Sequence, residues 1–113
     1  MKIIVLTDNY PGRFTEAEHG LSYLVEFDNK KILFDTGQSE LFKKNAGKLH
    51  VDLSDIDLVI LSHGHFDHGD GLQYLPGKTL LCHPGCFTKH FKKADNSYIG
   101  LKRTKEEIES EFN

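Results

Sequence analysis

The sequence predicts an α/β domain in which a mixed β-sheet carries helices on one face. Three observations predict it. Five short apolar runs rich in branched residues, at 2–7, 21–27, 31–34, 58–61 and 79–82, have the length of strands. Helical spacing or capping chemistry appears beside the later runs, near 39–46, 69–75, 84–91 and 104–112, which is the alternation of a sheet with crossover helices. The residues able to do chemistry gather just past strand ends, where open α/β sheets place their sites.

Taken in order, residues 2–7 read as a buried strand, and Asp8-Asn9-Tyr10-Pro11-Gly12 is turn chemistry. Asp8 and Asn9 either line a site or only make that turn. The run at 21–27 alternates and buries one face; Asp28-Asn29-Lys30 closes a hairpin onto 31–34. Asp35-Thr36-Gly37 follows, with Gly37 suited to a turn that only glycine makes cheaply. Ser39 can cap a helix to about Ala46, which Gly47 can stop. A turn at 52–56 feeds the strand 58–61. A helix is expected over 69–75, with Asp70 either an extra acid near the site or a helix-start residue. Pro84 suits another helix start, with Phe87 and Phe91 four apart on one face. His90 reads as solvated, residues 92–100 as polar loop, and Thr104-Lys105-Glu106-Glu107 as a capping box opening a last helix.

The chain centres on Ser62-His63-Gly64-His65-Phe66-Asp67-His68-Gly69, directly after the strand 58–61. His63 and His65 are two apart, so one loop can aim both imidazoles at one cation. Asp67 and His68 come after the chain has turned and can face a second cation. Imidazole nitrogen and carboxylate oxygen suit zinc, and manganese or iron also fit. Two ions roughly 3.5–4 Å apart can hold a bridging hydroxide and clamp attacking and leaving oxygens. Without a metal, so dense a cluster stacks repulsion and desolvation.

Phe34-Asp35-Thr36-Gly37 followed by Leu61-Ser62-His63-Gly64-His65-Phe66-Asp67-His68 resembles the first two motifs of the metallo-β-lactamase superfamily of metal-dependent hydrolases. Within it, Asp8-Asn9, His19-Gly20-Leu21-Ser22, Asp35-Thr36-Gly37-Gln38 and Ser62-His63-Gly64-His65 resemble the dihydropterin-ribofuranosyl-aminobenzene-phosphate synthase-like subgroup. The resemblance implies an αβ/βα sandwich of two halves, of which residues 1–113 are a single truncated domain, the N-terminal half. It implies divalent metal, most simply two zinc ions per complete site, held by His63, His65, Asp67 and His68. Asp35 would lie beneath the metals, accepting the second N–H of a ligand histidine. Asp67 would also orient the hydroxide. Asn9, His19 and His83 are candidate substrate contacts, with His83 alternatively a stand-in ligand.

The family's third histidine for the first metal, its bridging aspartate and its last histidine come from the later half, and no segment after His68 matches them. Each ion would then have two protein ligands where a catalytic zinc expects three. The sheet face that the second half covers would be a large apolar patch. The expectation is a homodimer, a complex with a separately encoded C-terminal half, or a stretch of a longer gene product.

Composition narrows the classes. A chain of 113 residues makes one domain. A net charge of −3 with acids and bases interspersed gives no case for nucleic acid or a membrane surface, and no apolar run is long enough to span a bilayer or serve as a signal peptide. A cytoplasmic protein is expected. Cys82-His83-Pro84-Gly85-Cys86, with His90, can be drawn as a zinc knuckle, but free cysteines acting as small buried hydrophobes is the simpler reading. The functional expectation is a metal-dependent hydrolase, or half of one, whose metal-held hydroxide attacks an ester or phosphoester of a small molecule. The subgroup resemblance would make the substrate a pterin-linked phosphate and the reaction a synthase's. The alternative is a non-catalytic module serving as an assembly or binding subunit.

Overall fold

Asp28 and Asn29 make a two-residue turn with both residues at positive φ, 50° and 62°, the geometry whose twist matches paired strands. It joins β2 (Ser22–Phe27) to β3 (Lys30–Phe34) in antiparallel register, and β1 (Lys2–Thr7) pairs antiparallel on the far side of β2. In this computed structural model, which describes residues 1–112, the sheet continues in parallel through β4 (Leu58–Ile60) and β5 (Leu80–Leu81). Strand order follows chain order, β1-β2-β3-β4-β5, giving the five-stranded mixed sheet that the apolar runs predict.

One face of the sheet is the core. Leu6, Leu24, Leu33 and Val59 are buried there with Phe42 and Ala46 of α1 (Leu41–Lys48) and with Leu61, Leu72, Leu75, Cys86, Leu101 and Ile108. Each such aliphatic side chain contributes about 1.5–3 kcal/mol of transfer free energy. Asn45 is the polar exception: its Nδ2 donates to Leu6 O (2.7 Å) and Glu16 O (2.9 Å), and its Oδ1 accepts from Glu16 N (3.1 Å), so the 8–21 loop is tied to the core.

The opposite face is also apolar. Pairing of Ile3 with Val25, Val25 with Ile32 and Ile32 with Leu58 carries it across four strands, and Val5, Tyr23, Phe34, Ile60 and Leu81 complete it. None of these residues belongs to the core cluster, and Ile3, Val5 and Leu81 are 55%, 48% and 57% exposed. β1 is therefore an edge strand with one buried face, where its unbroken apolar run predicts burial on both.

Three expectations about helices and one about a loop are corrected. α1 runs through Gly47 and ends in a Schellman arrangement, His50 N donating to Gly47 O and Val51 N to Ala46 O, with His50 in the left-handed position (φ 57°) that glycine more often takes. The helix after the metal loop starts at Phe66: α2 (Phe66–Gly69) runs into a 3₁₀ stretch, Asp70–Tyr74, so Asp67 and His68 are helical residues. Pro84–Phe87 makes only a 3₁₀ turn, and Phe91 leaves it to bridge Tyr98. That pairing folds residues 90–99 into a small hairpin where loop is predicted. The last helix, α3 (Lys105–Glu111), begins on the predicted box, Thr104 Oγ1 accepting from Glu107 N.

Candidate metal centre

The parallel pairing of β3 and β4 brings two strand ends side by side. Asp35 N extends that pairing by donating to Ile60 O (2.9 Å), Thr36 N donates to His68 O (2.8 Å), and Leu21 N donates to Asp67 O (3.3 Å). The loop after β4 is thereby stitched to the loop after β3 and to the entry of β2. Gly64, between the two spaced histidines, sits against the Cys86 carbonyl, which a β-carbon there would strike. Gly20 faces the Asp67 carbonyl in the same way at φ 144°.

Asp35 is fully buried and held at φ 59°, a conformation uncommon outside glycine, asparagine and aspartate. Its carboxylate has three donors. Oδ1 accepts from Ser62 N (2.7 Å); Oδ2 accepts from Ser62 Oγ (2.5 Å) and from His68 Nδ1 (2.8 Å). Ser62 Oγ also lies 2.8 Å from His63 Nδ1. A hydroxyl has one proton, and if it went to His63, two acceptors would face each other at Asp35. The proton therefore goes to Asp35, and His63 Nδ1–H donates to Ser62. Both His63 and His68 then carry the proton on Nδ1 and leave Nε2 bare, the form a metal ligand needs.

The other side of the loop is held differently. The His65 ring packs at 4.7 Å from that of His63, and His63 and His68 are 4.2 Å apart between centroids. Asp67 Oδ2 lies 2.9 Å from His19 Nε2 and 3.7 Å from His68 Nε2. Burial, reinforced by the neighbouring His68 and His65, pushes the His63 pKa down, whereas the hydrogen bond to Asp35 pushes that of His68 up. Asp35, His63 and His68 each place a potential ligand atom within 4.8 Å of the others. Asp35's oxygens are already engaged by three donors. Imidazoles with a carboxylate fit a divalent ion, the cofactor of the superfamily to which the sequence motifs point.

Of the remaining predicted residues, Asn9 and His19 line an open cleft of about 290 Å³ with Tyr10, Leu21, Asp67 and His68. Asn9 Oδ1 accepts from Gly20 N (3.0 Å), while Asp8 makes its turn through Tyr10 N. Gly37 adopts φ 68° beside Thr7 and Glu18. His83 is not in the cleft: its Nδ1 accepts from Gly85 N and caps the Pro84–Phe87 turn. A larger depression of about 660 Å³ lies at the hairpin end among Lys2, Glu26, Asn29 and Lys31, and gathers no comparable chemistry. Cys82 and Cys86 are free thiols; burial, with Cys86 beside it, pushes Cys82 up to about 11, as suits a core residue.

His90 is the residue that sequence reasoning misplaced. Its ring packs 5.3 Å from that of His65, brought there by the 90–99 hairpin: Ile99 N donates to His90 O, and Phe66 N to Ile99 O. Phe91 and Tyr98 flanking Asn96, a residue at ease with positive φ, are the signal that would have found it.

The chain is 38% identical to an uncharacterized protein of Methanocaldococcus jannaschii, MJ0448, over 88% of its length and 40% of the relative's. It is 34% identical to the 7,8-dihydropterin-6-methyl-4-(β-D-ribofuranosyl)-aminobenzene-5′-phosphate synthase of the same organism, over 96% of this chain and 42% of that one. The solved structure of Tm1679, a metal-dependent hydrolase of the β-lactamase superfamily, superposes with a TM-score of 0.82 at 38% identity, covering 98% of this chain and 40% of that chain. The chain thus spans about two fifths of the length of the relatives it matches. The family model for the metallo-beta-lactamase superfamily matches residues 15–86, which hold Asp35 and the whole histidine loop, and the chain belongs to that superfamily.

Proposed function

We propose that this chain carries the metal-binding half of a hydrolase active site that acts on ester or phosphoester bonds of small molecules. The observation that carries the reading is the Asp35 support: it fixes two imidazoles with Nε2 bare beside His65 and Asp67, at the edge of a cleft. His63 and His65 would hold one ion, Asp67 and His68 another, with zinc the metal that best suits the set. When bound, such ions lower the pKa of water toward about 7 and polarise the bond to be broken. Asp67, within hydrogen-bonding reach of His19, would orient the attacking group, and Asn9 and His19, which line the cleft, would meet the substrate.

Two ligands per ion are fewer than a catalytic zinc uses, and the outer sheet face is apolar across four strands. Both observations support completion by a second α/β unit seated on that face, supplied by the rest of a longer gene product, by a separately encoded C-terminal half or by a second copy in a homodimer. No described helix is long and apolar enough to cross a membrane, and two free thiols suit the cytoplasm. The relative named as a pterin-linked phosphate synthase favours an aromatic phosphate as substrate, with transfer in place of hydrolysis as the second reading.

The test is metal content by elemental analysis together with mass in solution, on wild type and His65→Ala, followed by cleavage of phenyl acetate and phenyl phosphate. Zinc bound by wild type, reduced in the variant and accompanied by cleavage in the completed assembly, is the expected result. A protein that stays metal-free at saturating zinc would overturn it in favour of a non-catalytic binding module.

A further inference from the structure

We infer that the 90–99 hairpin, with Lys89 at its start, is a substrate-binding arm, which takes the anionic group of an aryl phosphate on Lys89, Lys92 and Lys93 and its ring against Phe91 and Tyr98. The inference rests on the phosphoester reading of the metal centre and adds where such a substrate is recognised.

The near balance of charge over the whole chain hides a local excess. Lys89-His90-Phe91-Lys92-Lys93 packs three ammonium groups and two rings into five residues, and the only acid within residues 89–101 is Asp95. Asp95 is spent within the turn, accepting from Ser97 N (3.0 Å) and Ser97 Oγ (2.7 Å). Lys89, Lys92 and Lys93 are exposed, and their ammonium groups have no hydrogen-bond or ion-pair partner among the described residues. Three like charges within five residues repel one another, and an anion relieves that repulsion.

The apolar groups of the arm are equally unspent. Phe91 and Tyr98 are 53% and 47% exposed, in edge contact at 5.5 Å between centroids. The Tyr98 hydroxyl donates to Leu101 O (2.8 Å), which fixes its ring in place. Exposed rings beside ammonium groups match a ligand with a flat apolar part and a negative charge.

Position ties the arm to the centre. His90 lies in the middle of the basic run and packs against His65, and its flanking residues are each about 3.8 Å away along the chain. Gly100, at the arm's base, bridges to His65 itself. A substrate whose reacting bond lies at the His63–His68 loop therefore has the arm as its neighbour on the His65 side.

The experiment uses the full chain kept metal-free with a chelator, so that the metal centre takes no part in binding. Phenyl phosphate, cyclohexyl phosphate and inorganic phosphate are titrated by calorimetry and by amide NMR shifts. Phenyl phosphate should bind most tightly of the three and shift residues 89–93 and 98. Lys92→Ala/Lys93→Ala should weaken it about tenfold, from the loss of two exposed ion contacts. Phe91→Leu should weaken phenyl phosphate and leave inorganic phosphate unchanged. Both sites are exposed, and unchanged circular dichroism shows that the variants fold; the salt dependence of wild-type binding tests the charge contribution without any substitution. No binding, equal binding in the double variant, or equal affinity for the three phosphates would overturn the arm. So would single-stranded RNA that binds more tightly with each added phosphate, since that marks a polyanion surface. Metal uptake is read on the same samples: uptake without arm binding sinks the arm alone, and arm binding in a protein that takes up no zinc sinks the hydrolase reading alone.

Discussion

The two sides of the metal loop are built by different means. His63 and His68 are locked from below by Ser62 and by a carboxylate that is fully buried, whereas no hydrogen bond to a described residue holds the His65 ring, and Asp67 is met by His19, whose side chain is 68% exposed. One side is preorganised before any ion arrives. The other leans on ring contacts, the 90–99 hairpin and the 8–21 loop. Preorganisation is worth most where ligands are few, because every ordering cost met by the fold is one that metal binding does not have to meet.

The largest effect should come from the locked side. Asp35→Ala removes the shared acceptor of Ser62 N, Ser62 Oγ and His68 Nδ1; Ser62 is exposed and can turn to water, so the loss falls mainly on the half-buried His68 and about 1–3 kcal/mol of stability should go. Metal affinity should drop about 10–100-fold, the range for groups that orient ligands. Urea unfolding of the metal-free protein and zinc competition read the two quantities separately. A variant that loses stability but binds zinc normally would break the comparison.

Ser62 sharpens it. Ser62→Ala removes the hydroxyl between Asp35 and His63 and frees the His63 ring to take either tautomer, which should weaken zinc by about tenfold. Ser62→Thr keeps the hydroxyl and should restore most of that loss. Nitrogen NMR shifts of the metal-free protein report the tautomer directly: Nδ1 protonated in wild type and in Ser62→Thr, mixed in Ser62→Ala. An unchanged tautomer in Ser62→Ala would show that the loop backbone alone sets the ring.

The loose side should respond weakly. His19→Ala and His90→Ala each remove an exposed or half-exposed partner, and the stability of the metal-free protein should stay within about 0.5 kcal/mol of wild type. Losses comparable to that of Asp35→Ala would mean that the two sides are equally built.

The same division marks what was legible in the sequence. The strands, the Asp28-Asn29 hairpin, the Thr104 box and the histidine loop are local signals, and each appears in the fold at or near its predicted position. Helix starts were less legible. Gly69 and Asp70 look like a beginning, yet His65 in an extended conformation (φ −97°, ψ 147°) starts α2 at Phe66, because the bonds of the 65–68 segment to Thr36 and Leu21 fix it from outside. Gly47 looks like a stop, but the left-handed residue is His50. His90 could not be read locally at all, since its place beside His65 depends on Phe91 pairing with Tyr98 and on Gly100 reaching His65. Residues tied to strand ends were predictable; residues delivered by contacts between loops were not.

The smallest predicted effect concerns a second buried carboxylate, which tests whether burial or bonding makes Asp35 special. Asp70 is 4% exposed; its Oδ1 accepts from Lys102 N (2.9 Å), and its Oδ2 has no partner among the described residues. Burial raises its pKa, and the bond from Lys102 opposes that only in part. A folded-state pKa above the free value of about 3.9 means that the fold prefers the protonated acid, so the stabilising contribution is present below that value and is lost as pH rises through the raised one. Asp70→Asn keeps an oxygen for Lys102 and cannot titrate. The stability difference, wild type minus variant, should therefore move against wild type as pH rises across that window, read by urea unfolding on metal-free protein. A difference that moves toward wild type would mean that the Asp70 carboxylate is stabilised in the fold, and three donors would no longer be what sets Asp35 apart.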